Sequence, residues 1–116
     1  MPFDYRRAKG RTNHVPGRMN KTEKRYELEC LVPNRPDIYS SWKFESIKFR
    51  LADNTYYTPD FVVIANDGMM EVHEVKGFWQ DDARVKIKVF AEMYPEFFVV
   101  AAMIRGGKWE KEIISK

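Results

Sequence analysis

The chain has 116 residues, 44% of them hydrophobic and 32% charged, which is enough for one domain with its own core and too apolar for a mainly disordered segment. No apolar run approaches the ~18–20 residues that span a bilayer. The opening Met1-Pro-Phe-Asp-Tyr-Arg-Arg7 lacks a signal peptide's apolar centre, and Cys30 stands alone, so a small cytoplasmic α/β or α+β domain without disulfides or a cysteine-built zinc site is expected.

Twenty Lys and Arg against seventeen Asp and Glu give a net charge of only +3. Its distribution is uneven. Arg6, Arg7, Lys9, Arg11, Arg18, Lys21, Lys24 and Arg25 fall within residues 1–25, against Asp4 and Glu23. With Gly10, Pro16 and Gly17 and almost no apolar periodicity, residues 1–19 read as a flexible basic arm ahead of a single domain over 20–116. Such arms neutralise phosphates and bind nucleic acid in a salt-dependent way. Charge alone also fits a solvated terminus with no partner.

Asn20-Lys21-Thr22-Glu23 carries a capping box, so a helix starts near Asn20, and Pro33 and Pro36 stop it. Phe44, Ile47, Phe49 and Leu51 among charges predict a strand over 42–51. Ala52-Asp53-Asn54 turns it into a second strand over 55–65, and Asn66-Asp67-Gly68 leads to a third over 69–76. Asp81-Asp82 opens a second helix that ends at Pro95. The apolar run 97–104 predicts a strand buried on both faces, and Arg105-Gly106-Gly107-Lys108 turns it into a last strand over 109–114. The order is helix, three antiparallel strands, helix, two strands.

Polar residues interrupt this sheet where it should be apolar. Phe61-Val62-Val63-Ile64-Ala65 calls for a central strand, yet Asp60 begins it, and Glu74 and Lys76 end its partner. Side chains two apart on a strand share a face, roughly 6.5–7 Å from each other. If residues 66–68 form a three-residue loop with Gly68 left-handed, Ile64 opposes Met70, Val62 opposes Val72 and Asp60 opposes Glu74. A two-residue loop would set Asp60 on the other face. Apolar matching favours the first register, which gathers Asp60, Glu74 and Lys76.

Two carboxylates about 4–5 Å apart repel by ~3–4 kcal/mol at an effective dielectric near 20. A proton or a cation must compensate. Lys76 supplies one charge, and an all-oxygen site beside basic surface suits Mg²⁺. Such an ion polarises a phosphoryl oxygen and acidifies a bound water, while Lys76 orients that water or stabilises charge on the phosphate. Gly77 leaves room for a sugar-phosphate backbone.

Thr58-Pro59-Asp60-Phe61, thirteen intervening residues and Glu74-Val75-Lys76-Gly77 resemble the PD-(D/E)xK nuclease signature. The wider runs 51–61, 73–79 and 82–88 are similar to small phage proteins grouped with the endonuclease I-type Holliday-junction resolvases. The resemblance covers roughly residues 20–112. It implies an α/β restriction-endonuclease-like core, with a central mixed sheet flanked by helices. It also implies Mg²⁺, with Mn²⁺ as a substitute, on Asp60, Glu74 and the Val75 carbonyl, and a catalytic Lys76. A further glutamate is expected on the first helix as a catalytic and metal-site residue. Glu23, in an Asn20-x-x-Glu23 that resembles the group's Ser-x-x-Glu, is favoured over Glu27, although Glu23 also fits a simple cap.

On the second helix, Ala83, Ile87, Phe90, Ala91 and Tyr94 form an apolar face that Val85, Val89 and Met93 widen. Lys86 falls inside that arc, either reaching toward a scissile phosphate or snorkelling to water. Lys88, on the polar side, joins Arg6, Arg7, Lys9, Arg11, Arg18, Lys21 and Gly77 as a candidate DNA contact. His73 alternates away from Glu74 and reads as packing or as support behind the site, His14 could touch phosphate but has no required role, and Phe78-Trp79 reads as core ahead of a junction or dimer surface. The sequence reading is therefore a Mg²⁺-dependent endodeoxyribonuclease, phage-encoded and selective for four-way junctions, with no organic cofactor. Symmetric cutting of both strands needs two active sites, so a homodimer is expected. The alternatives are a nicking, flap or restriction-type nuclease without junction preference, and a non-catalytic DNA-binding protein.

Overall fold

The structure, a computed structural model, describes residues 15–78 and 81–114. Arg6, Arg7, Lys9, Arg11, His14 and Trp79 lie outside the described residues.

Helix α1 spans Lys21–Tyr26 behind the N-cap Asn20. Its capping box is complete: Glu23 N–H donates to Asn20 Oδ1 and Asn20 N–H donates to Glu23 Oε1, both at 2.8 Å. The helical run then loosens into a π turn over Glu27–Leu31 and tightens into a 3-10 turn over Val32–Asn34. Pro33, which has no N–H to give the preceding turn, lies inside that last turn, and the helical run ends after Asn34.

The expected strand over 42–51 is two strands, β1 (Tyr39–Phe44) and β2 (Phe49–Ala52), and the one over 55–65 is likewise β3 (Thr55–Tyr57) and β4 (Phe61–Ala65). Both halves of the long hairpin crease at one level. Glu45 takes a left-handed conformation, φ 49°, opposite a segment in which Pro59 has no ladder donor. The Glu45 N–H still donates to the Asp60 carbonyl at 2.9 Å. β1 pairs with β4 in the main sheet, whereas β2 and β3 form a separate two-stranded ribbon.

The turn after β4 is the three-residue loop expected. Gly68 has φ 86°, a conformation open to glycine without steric cost. The Ala65 N–H donates to the Met69 carbonyl at 2.9 Å. β5 (Met70–Lys76) then pairs antiparallel with β4, Ile64 opposite Met70 and Val62 opposite Val72. Helix α2 (Asp81–Met93) carries the chain across to β6 (Phe98–Arg105), parallel to β5, and β7 (Lys108–Ile114) returns antiparallel. The result is an α/β domain with a five-stranded mixed sheet in the order β1-β4-β5-β6-β7.

Each face of this sheet has its own core. On one, Tyr26, Cys30 and Leu31 pack against Tyr39, Phe61, Val63, Val75 and Ala102. On the other, Ile87, Phe90 and Ala91 of α2 pack with Leu51, Tyr57, Val72, Val99, Ala101 and Ile114. The β2–β3 ribbon is folded onto this second face, with Phe49 and Phe90 ring centroids 4.8 Å apart. The apolar stripe of α2 is narrower than its sequence suggested, because Val85, Val89 and Met93 are exposed. Lys86 is exposed as well. It lies at the border of the apolar face, with buried Phe90 on one side and exposed Val89 and Met93 on the other, as a snorkelling lysine would.

Candidate functional site

The β4–β5 register carries Asp60, Glu74 and Lys76 to the α2 face at the open end of the hairpin. The ladder ends at Phe61 opposite His73, and beyond it side chains take over the hydrogen bonding. The Asp60 N–H donates to Glu74 Oε1 at 3.3 Å, and the Val75 N–H donates to Asp60 Oδ2 at 2.8 Å. Lys76 Nζ lies 3.4 Å from Glu74 Oε2. Asp60 and Glu74 are only 6% and 7% exposed.

Burial controls the electrostatics. Loss of solvent raises the Asp60 carboxyl well above its ordinary value, and the Glu74 charge raises it further against the opposing Val75 N–H bond. Glu74 is also raised by burial, although Lys76, the Tyr57 hydroxyl and the Asp60 N–H pull it down. Lys76 behaves differently. Burial disfavours its charge, but Glu74 and then Asp60 outweigh that and hold its pKa above the usual lysine value. Two crowded acids beside a firmly protonated amine make a site that a cation relieves.

The first helix resolves its two glutamates spatially. Glu23 is buried, caps Asn20, and lies close enough for its charge to act on both Asp60 and Lys76. Glu27 instead accepts from Trp42 Nε1 at 2.9 Å and from Lys24 Nζ at 3.1 Å, away from the cluster on the opposite sheet face. Among the described residues no three His, Cys, Asp or Glu side chains converge as a ready-made metal cage. The cluster proper is Asp60 and Glu74, with one Glu23 oxygen engaged in capping. The donor set itself fits a hard divalent ion: it is oxygen-only, doubly acidic and offset by one amine. In extended backbone a residue's N–H and C=O leave on the same edge, so the Val75 carbonyl faces the Asp60 side as well.

Residues 17–111 match a family model described as a protein of unknown function (DUF1064). The chain belongs to this family. Neither a curated protein nor a solved structure matches it.

Other candidates in this DUF1064 chain scatter. Arg18 and Lys21 are exposed at the end that holds Asp60, because the Gly17 N–H donates to Glu45 Oε1 at 2.7 Å and Glu45 in turn bonds Asp60. Gly77 is exposed, and a Cβ there would meet no atom within 4 Å. Packing therefore does not require its bareness, and the strand end stays open to a ligand. Lys88 is exposed on α2. Phe78 is 67% exposed rather than core. His73 is fully buried on the α1 face, its Nδ1 2.6 Å from Tyr26 Oη and its Nε2 2.8 Å from Glu71 Oε1, a packing role as expected.

Two features were not read from the sequence. Tyr57 donates its hydroxyl to Glu74 Oε1 at 2.6 Å. A cleft of about 410 Å³, lined by Ser41, Lys43, Ser46, Ile47, Val62 and Ile64 among others, opens on the same sheet face, with Val62 two residues beyond Asp60. Only knowledge of the crease, which folds β3 back over β5, would have pointed to either.

Proposed function

We propose that this protein is a metal-dependent endodeoxyribonuclease with a restriction-endonuclease-like core of the PD-(D/E)xK type. The observation that carries the reading is the joint burial of Asp60 and Glu74, bridged by the 3.3 Å Asp60 N–H bond, with the Lys76 amine 3.4 Å from Glu74. A structural ion pair needs one acid for one amine. The second acid needs a proton or a cation to offset its charge in the interior.

Asp60, Glu74 and the Val75 carbonyl would hold Mg²⁺ or Mn²⁺, which supplies Lewis-acid polarisation of a phosphoryl oxygen. Neutral donors fix Asp60 Oδ2 and Glu74 Oε1, and Lys76 lies against Glu74 Oε2. Lys76 keeps its proton near neutrality because both acids act on it. It therefore works as a donor that orients the attacking water and stabilises charge on the phosphate, not as a general base. Glu23 adds a negative charge behind Asp60 and Lys76. The bare Gly77 and exposed Arg18 and Lys21 suit a nucleic-acid backbone.

Within this reading the substrate is a branched DNA, most specifically a four-way junction, cut by a homodimer of phage origin. Labelled junction and linear duplex are incubated with Mg²⁺, Ca²⁺ or EDTA. Junction cutting in Mg²⁺ alone is the expected result, and equal cutting of both substrates favours a nuclease without junction preference. No cutting of either in Mg²⁺ or Mn²⁺ overturns the assignment. Sedimentation of the protein with and without junction tests the dimer.

A further inference from the structure

We propose that Tyr57 is a positioning residue for the metal-binding carboxylate Glu74, so that the β2–β3 ribbon belongs to the site rather than to the core alone. This rests on the nuclease reading above and adds to it a residue outside the Asp, Glu-x-Lys pattern.

The Tyr57 ring is clamped against Phe90 of α2, centroids 5.0 Å apart, and is buried. Its hydroxyl therefore has little freedom, and it donates to Glu74 Oε1 at 2.6 Å. The same oxygen takes the Asp60 N–H at 3.3 Å. Both donors approach one oxygen and leave Glu74 Oε2 toward Lys76. The terminal torsion of a glutamate is broad, so without the hydroxyl the plane of its carboxylate is loosely held. Tyr57 fixes that plane and keeps the second oxygen turned toward Lys76. Partners of this kind, behind a ligand, hold its orientation and commonly set metal affinity.

The competing account is that the hydroxyl merely satisfies a buried polar group. Tyr26, whose hydroxyl meets His73 on the opposite face, is the internal control, because it is an equally buried tyrosine bonded away from the acids. Mn²⁺ binding to the wild-type protein, Tyr57→Phe and Tyr26→Phe is measured by isothermal titration and by electron paramagnetic resonance, alongside junction cutting. We expect Tyr57→Phe to weaken Mn²⁺ binding by roughly 10- to 100-fold, with cutting largely recovered at saturating Mn²⁺. Tyr26→Phe should stay within about twofold of wild type, because its bond lies outside that shell of partners. Equal losses in the two variants, or an unchanged Tyr57→Phe, overturn the positioning role while leaving the nuclease reading standing. A wild-type protein that neither binds Mn²⁺ nor cuts DNA overturns both.

Discussion

The backbone N–H of Val75 donates to Asp60 Oδ2 at 2.8 Å, so the residue beside Glu74 holds in place the carboxylate that Glu74 repels. The two acids are kept together by neutral donors, not by a charge of opposite sign between them. Lys76 reaches only the Glu74 side. This arrangement sets acid against acid in a place without solvent, and its consequences can be measured with and without a metal.

Asp60→Asn removes one of the two repelling charges while retaining an acceptor for the Val75 N–H. Burial, then Glu74, raises the Asp60 carboxyl, so the fold favours its protonated form. The stability this contributes is complete below the ordinary carboxylate pKa of about 3.9 and is lost as pH rises through the raised folded value. The variant should therefore melt higher than wild type in EDTA at neutral pH and lose less stability between pH 4 and 8. It should also fail to cut junctions yet still bind them in a gel shift. Undiminished cutting would refute the assignment of Asp60.

Glu23 and Glu27 make opposite predictions. Gln at position 23 still accepts from the Asn20 N–H, since a capping box tolerates either residue, but its negative charge near Asp60 and Lys76 is gone. Cutting should slow by about tenfold or more. Glu27→Gln weakens a partly exposed pair with Lys24, which costs less than about 1 kcal/mol, and should leave cutting within about twofold. Rates of junction cleavage compared with melting temperatures distinguish the two.

His73 gives a separate pH signature. Burial lowers its pKa, outweighing the Glu71 carboxylate that raises it, so the fold holds a neutral ring. Stability from this group is present above the unfolded pKa of about 6.5 and is lost as pH falls toward the lowered folded value. The slope is at most about 1.4 kcal/mol per pH unit. Urea unfolding of wild type and His73→Gln between pH 5 and 7.5 isolates it. The variant should be the flatter of the two, and parallel profiles would count against the neutral, buried ring.

Deleting residues 1–14 removes Arg6, Arg7, Lys9 and Arg11. If all four neutralise phosphates, the plot of log affinity for duplex DNA against log salt should flatten by about 3 to 4. Fluorescence anisotropy from low to moderate salt measures that slope. No change would assign the basic arm to solvent.

The legible parts of this fold were those specified by short-range rules. Asn20 and Glu23 announce their cap, and Gly68 with the apolar matches Val62–Val72 and Ile64–Met70 sets the register that unites Asp60 with Glu74. The crease at Glu45 was hidden, because nothing in a glutamate signals a left-handed backbone, and both flanking runs alternate like one strand. Tyr57 was lost with it: in a straight hairpin it is another core aromatic, and only the fold-back brings it to Glu74. The apolar face of α2 was drawn too wide for a different reason. Counting Val85, Val89 and Met93 as inward widened the helix face, whereas α2 covers its sheet with Ile87, Phe90 and Ala91 alone.

The Gly68 turn has a consequence for how this protein tolerates change. Along β5, His73 and Glu74 answer to opposite sides of the sheet, one to an apolar interior and the other to the acids. Losing or gaining a single residue in the 66–68 loop would make them trade sides: a carboxylate would meet Tyr26 and an imidazole would meet Asp60. Loop length here matters to the acids as much as any side chain beside them, although the loop itself sits at the far end of the strand.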